Sequence, residues 1–135
     1  MLERDYIMRL IREFMAALER MLEKKEVTTR REELKKLYEQ YIGPYAFYFT
    51  ASIEKVIESL SQESEERRFY KLEMLAELYH AEADMVSKPE ADILLRKAYA
   101  LYDYQEIHSK TYSLDRIRKM NDIEKKLQNF ENNQE

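Results

Sequence analysis

The sequence predicts an all-α chain of about six helices, and two observations predict it. Only one glycine and two prolines occur in 135 residues, where average usage would give roughly nine and seven. The turn residues that hairpins and multi-strand β architectures require are therefore missing. Apolar residues also recur at steps of three and four through most of the chain, the period of a helix with one covered face. The length suits one ordinary domain able to bury about two-thirds of its unfolded surface. A single helical unit is expected over 1–130, with N-terminal helices over 1–62, a second set over 63–130 and a frayed tail at 131–135.

The first helix is the clearest. From about Arg4 to Lys25 the apolar positions Tyr6, Ile7, Leu10, Ile11, Phe14, Leu18, Met21 and Leu22 draw one stripe. Met8, Met15 and Met21 lie near its edges, and methionine tolerates irregular partners, so a homodimer seam competes with packing on the second and third helices. Packing within the chain is the favoured reading. Thr28 or Thr29 can cap the second helix, whose inner face is Leu34, Leu37, Tyr38 and Tyr41 and which Gly43-Pro44 ends.

Tyr45, Phe47, Tyr48 and Phe49 follow almost without a break. Neither a one-sided helix nor an alternating strand explains that density, so the segment is expected to be buried on several sides. Ile53, Val56, Ile57 and Leu60 continue as a helix, and Ser61 to Arg68 is a polar break. A fourth helix, roughly Arg67 to Val86, carries Phe69, Leu72, Leu75, Ala76, Tyr79 and Ala83 inward. Ser87-Lys88-Pro89-Glu90 reads as the next start: Ser87 as cap, Pro89 in the first turn, Glu90 bonding back to the Ser87 amide. The fifth helix runs to about His108, and Ser113-Leu114-Asp115 opens a sixth bearing Leu114, Ile117, Met120, Ile123 and Leu127.

Composition removes several function classes. Lys and Arg total 23 against 27 Asp and Glu, a net charge of −4, so no one-signed field exists to hold nucleic acid. Zero cysteines remove disulfides, thiolate nucleophiles and cysteine-ligated zinc. Charges at Glu3, Arg4 and Asp5 leave no apolar signal-peptide core. The longest uncharged stretch, Gln40 to Ile53, falls short of the roughly 18 residues that span a bilayer. No membrane partner is expected, and the cytoplasm is the default location. With Gly43 as the sole glycine, glycine-rich phosphate loops and the nucleophile elbow of hydrolases are impossible.

Leu72, Leu75-Ala76 and Tyr79, then Ala91, Leu95 and Ala98, resemble the large, apolar-small, aromatic and small-bulky-small positions of a tetratricopeptide hairpin. The second set falls three positions late, and Asp103 stands where a closing proline is usual. The Ser113 helix would then be the solvent-facing cap of a terminal repeat. The opening Asp5-Tyr6-Ile7-Met8-Arg9-Leu10-Ile11, taken with His108-Ser109-Lys110-Thr111-Tyr112-Ser113-Leu114-Asp115-Arg116, resembles an uncharacterised bacterial family with tetratricopeptide-like C-terminal halves. The resemblance implies a fold but no activity. Tetratricopeptide relatives imply peptide or protein binding on a concave helical face.

Two function classes follow from the residues. The first is a non-catalytic protein–protein interaction module with no cofactor. Eleven tyrosines are the compositional oddity. Large amphipathic rings serve either cores or interfaces, and core packing is favoured for Tyr45 to Phe49, while the two uses stand level for Tyr99, Tyr102 and Tyr104. Tyr79, Tyr99 and Tyr102 are the candidate protein-binding residues. The second class is a metal-binding or enzymatic bundle. Glu77-Leu78-Tyr79-His80 is a Glu-x-x-His, the step that sets a carboxylate and an imidazole on one helix face in di-iron bundles. A di-iron site needs two such steps, but Gln105 precedes the only other histidine, His108, by three. Glu73, Glu77, His80 and Asp84 are accordingly expected on a solvated face.

Overall fold

A computed structural model describes residues 2–109 and 112–132. Among them there are seven helices and no strand: α1 (Leu2–Leu22), α2 (Val27–Tyr41), α3 (Tyr45–Thr50), α4 (Ile53–Ser59), α5 (Glu65–Ala83), α6 (Glu90–His108) and α7 (Leu114–Asn132). The seventh helix arises where the aromatic run defeated periodicity, because Tyr45 to Thr50 closes as a short helix. Only Tyr48 in it is buried. Tyr45 and Phe49 are half-covered and Phe47 is exposed, so the run divides between core and surface instead of being enclosed on several sides.

Three serines supply caps. Ser52 Oγ accepts from the Lys55 amide at 3.3 Å and Ser64 Oγ from the Arg67 amide at 3.3 Å, opening α4 and α5. Ser113 does the same for α7, accepting from the Arg116 amide at 3.2 Å. Two expected caps are corrected. α2 begins at Val27, with Glu26 at the cap position and no side-chain bond there, so Thr28 and Thr29 lie inside its first turn. The Thr29 hydroxyl instead donates to Glu26 Oε2 at 3.4 Å. At the start of α6 the capping position belongs to Pro89, again without a side-chain bond, and Ser87 contributes its carbonyl to the Ala91 amide at 3.1 Å. α7 runs on through Asn132 into the stretch expected to fray, and residues 133–135, like Lys110 and Thr111, lie outside the described residues.

Gly43 makes the α2–α3 corner possible. Its φ is +156°, and a Cβ there would stand 2.9 Å from Tyr48 Cε2. Only glycine meets both conditions without strain. The corner turns α3 back so that Tyr48 enters the core, its hydroxyl 3.5 Å from Ser59 Oγ.

α5 is the central helix. It packs most extensively on α6, and also on α2 and α1. Pairings of Phe69 with Tyr104, Glu77 with Tyr102 and Tyr79 with Lys97 run in opposite senses along the two helices, so α5 and α6 form an antiparallel hairpin. The α1 stripe places Ile7, Phe14, Leu18 and Met21 in the core, but against α2 and α5, not the third helix of the sequence reading. Burying each such side chain contributes about 1.5–3 kcal/mol. α7 lays Met120 and Ile123 inward, packs Ile117 and Leu127 against the edge of the core, and is joined further by long polar side chains. Among the described residues no helix is long and apolar enough to cross a membrane.

Candidate functional site

Glu77 and His80 are one turn apart on α5, as their spacing requires, yet they turn to different partners. Glu77 is buried. It accepts from the Tyr102 hydroxyl at 2.9 Å and from Lys119, which also pairs with Asp115 at 3.0 Å. His80 Nε2 stands 3.2 Å from Asp122 Oδ2 and 3.4 Å from Lys126 Nζ. Lys126 is itself 3.2 Å from Asp122 and 3.6 Å from Asp84. An ammonium thus occupies the point on which the imidazole and both aspartates converge. Burial, then Lys126, holds the His80 imidazole below its ordinary pKa.

Glu73 and Asp84 are exposed as the sequence reading expected, but Glu77 corrects it. The stripe from Phe69 to Ala83 is not the only covered side: Tyr70, Met74 and Leu78 make α5 apolar on further sides as well, and side chains from α7 close over the polar one. Among the described residues no three His, Asp or Glu side chains are placed to hold a metal ion together.

The three candidate tyrosines do not share a face. Tyr79 is wholly buried, its hydroxyl donating to the Tyr48 carbonyl at 2.5 Å. Tyr102 is buried on Glu77. Burial pushes both phenols well up. Tyr99 is half-exposed and donates to Glu124 Oε1 at 2.7 Å, and that bond, with burial second, raises it. Two of the three are therefore core residues and offer a partner nothing.

Sequence reasoning missed the most deeply buried charges. Glu82 is 0% exposed and accepts from the hydroxyls of Tyr38, at 2.8 Å, and Tyr45, with Arg31 Nη2 3.8 Å away. Nearby, Lys97 Nζ donates to the carbonyls of Tyr48 and Phe49, both at 3.1 Å, and lies 4.6 Å from the Tyr79 ring centroid. Burial, only partly offset by Glu82, brings its ammonium down to about 8. A signal was present. Glu82 falls three residues after Tyr79 and Lys97 three after Leu94, both on covered stripes. Glu82 and Lys97 are thus each satisfied within the fold, as buried polar groups in a stable interior are, although Arg31 Nε beside them meets no acceptor.

The opposite end of the hairpin differs. A cleft of about 420 Å³ opens between α1, α5, α6 and α7, lined by Ile7, Met8, Phe69 and Tyr70 together with Gln105 and Arg116. Arg116 Nε donates to Glu106 at 2.6 Å, and its Nη1 is 3.5 Å from Gln105 Oε1. Gln105 is 3% exposed, and its Nε2 has no hydrogen-bond partner. Glu66 and Glu73 also border the cleft. Although Glu73 as a residue is exposed, loss of water around its carboxyl at the cleft, then the Glu77 charge, raises that carboxyl above its ordinary value.

No protein-family model, curated protein or solved structure matches the chain.

Proposed function

We propose that the chain is a non-catalytic, tetratricopeptide-like interaction module that receives a protein partner at the end of the α5–α6 hairpin where the cleft lies. One observation carries this reading. Among the described residues, five of the nine large apolar side chains left exposed belong to that end: Tyr6, Met8, Ile107, Tyr112 and Leu114. Apolar side chains gathered at one place on a surface mark interaction sites more often than scattered ones. Leu72, Leu75, Ala76 and Tyr79, with Ala91, Leu95 and Ala98, are all buried at the hairpin seam, which supports the tetratricopeptide-like part of the reading. The partner surface is thus moved from Tyr79 and Tyr102, which are interior, to the turns around α6's C-terminus and α7's start.

Site-specific photo-cross-linking in the native cell tests it. A photoreactive residue at Ile107 or Leu114 is expected to give one discrete protein adduct, and the same residue at Ile93, exposed at the other end of α6, to give none. Adducts between two copies of the chain would turn the reading into self-assembly. Equal labelling at all three positions would remove it.

A further inference from the structure

The cleft's chemistry narrows what can enter it. Its walls supply an apolar lining from Ile7, Met8, Phe69 and Tyr70, and its volume of about 420 Å³ lies within the range of ligand sites, about 300–1,000 Å³. Gln105 lines the cleft and is 3% exposed, yet its Nε2 meets no acceptor. The Arg116 guanidinium faces Oε1, so the oxygen end of the amide is the end turned to the cation and the donor end is the one unanswered. A buried donor without a partner is uncommon and costly in a native fold. Arg116 adds little free positive charge, because Glu106 already pairs with it. Glu66 and Glu73 border the same space with Arg4, so beside the paired Arg116 the lining carries two acids against one cation and suits a neutral acceptor better than an anion. Glu73 in turn offers an acceptor to an N–H.

We propose that this cleft binds a neutral secondary amide carrying an apolar side chain, its carbonyl accepting from Gln105 and its N–H directed to Glu73. That group is the repeating unit of a polypeptide, so the inference deepens the interaction-module reading and rests on it. The occupant is an uncharged, apolar stretch of a partner's chain. Donor and acceptor set orientation, and the apolar walls supply affinity, as in other small sites with few polar contacts.

The test uses the full chain and two probes, N-acetyl-leucine N-methylamide and N-acetyl-leucine with its free carboxylate, titrated while the Gln105 side-chain amide and the Met8 methyl are followed by NMR. The amide probe is expected to shift both signals saturably, and the carboxylate to bind at least about tenfold more weakly, a difference of about 1.4 kcal/mol. Gln105→Met, close in shape and without a donor, is expected to stay folded and to weaken the amide probe about tenfold or more. Met8→Ser, on an exposed wall where folding is not at stake, is expected to weaken it a few-fold. Overturning results are equal or tighter binding of the carboxylate, undiminished binding by Gln105→Met, or no saturable shift with either probe. A single adduct at Ile107 together with any of these would leave the module standing and remove only the amide assignment.

Discussion

The two ends of the α5–α6 hairpin handle buried polarity in opposite ways. Near the connecting turn, Glu82 and Lys97 are both buried, and each is answered within the fold: two tyrosine hydroxyls and Arg31 for the acid, two backbone carbonyls and a tyrosine ring for the amine. At the far end Gln105 is as deeply buried, yet its donor is unmet, and apolar side chains stand in solvent around it. A fold can afford charged residues inside it when it supplies every partner itself. Where it supplies the enclosure and withholds the partner, an incoming group completes the site in the proposed reading.

The largest expected effect is at the closed end. Glu82→Ala leaves the Tyr38 hydroxyl buried without its acceptor and opens space beside Tyr45, and it should cost about 3 kcal/mol or more, read as a lower urea midpoint with unchanged m. A smaller loss would mean the network contributes less than its burial implies. Gly43→Ala comes next. The positive φ and the contact with Tyr48 should cost about 2 kcal/mol, visible as a lower Tm, and an unchanged Tm would show that the corner relaxes freely.

Lys97 sharpens the comparison through pH. Its folded pKa, about 8, lies below the usual lysine value, so between the two the unfolded chain holds more protons. The burial penalty is fully present below about pH 8 and is relieved as pH rises toward the unfolded value. Stability should therefore climb by up to about 1 kcal/mol per pH unit in that window, and Lys97→Met should flatten the climb. A wild-type slope that the variant keeps would assign it to another group. The smallest effect belongs to the open end: Ile107→Ser should change stability by no more than about 0.5 kcal/mol while reducing partner adducts at Leu114.

Much of the fold was legible because it depends on a local period. The stripes in α1 and α5, the Gly43-Pro44 stop and the Ser113 cap all act within a turn or two of their own residues. The Tyr45 to Phe49 helix was not, because its aromatics follow no period and are sorted by what α2, α4 and α6 bring to them. The Thr28 and Ser87 caps failed for a related reason: several residues in each stretch can begin a helix, and packing chooses among them. For the site, the spacing of Glu77 and His80 was readable, but their separate partners on α7 were not, since those lie some forty residues away. Glu82 and Lys97 could have been found by asking which charged residues share a stripe with apolar ones. Gln105 stands likewise between Leu101 and Tyr102 on one side and the helix end on the other, but only tertiary structure reveals that its donor meets nothing.

Equilibrium urea unfolding of Gln105→Met tests most directly whether the two ends differ in kind. If the amide is kept for an incoming group and not for the fold, exchanging it for an apolar side chain of similar shape should leave stability unchanged or raise it by about 1 kcal/mol. A loss of about 1 kcal/mol or more would mean that Gln105 serves the fold as Glu82 does, and would contradict the distinction.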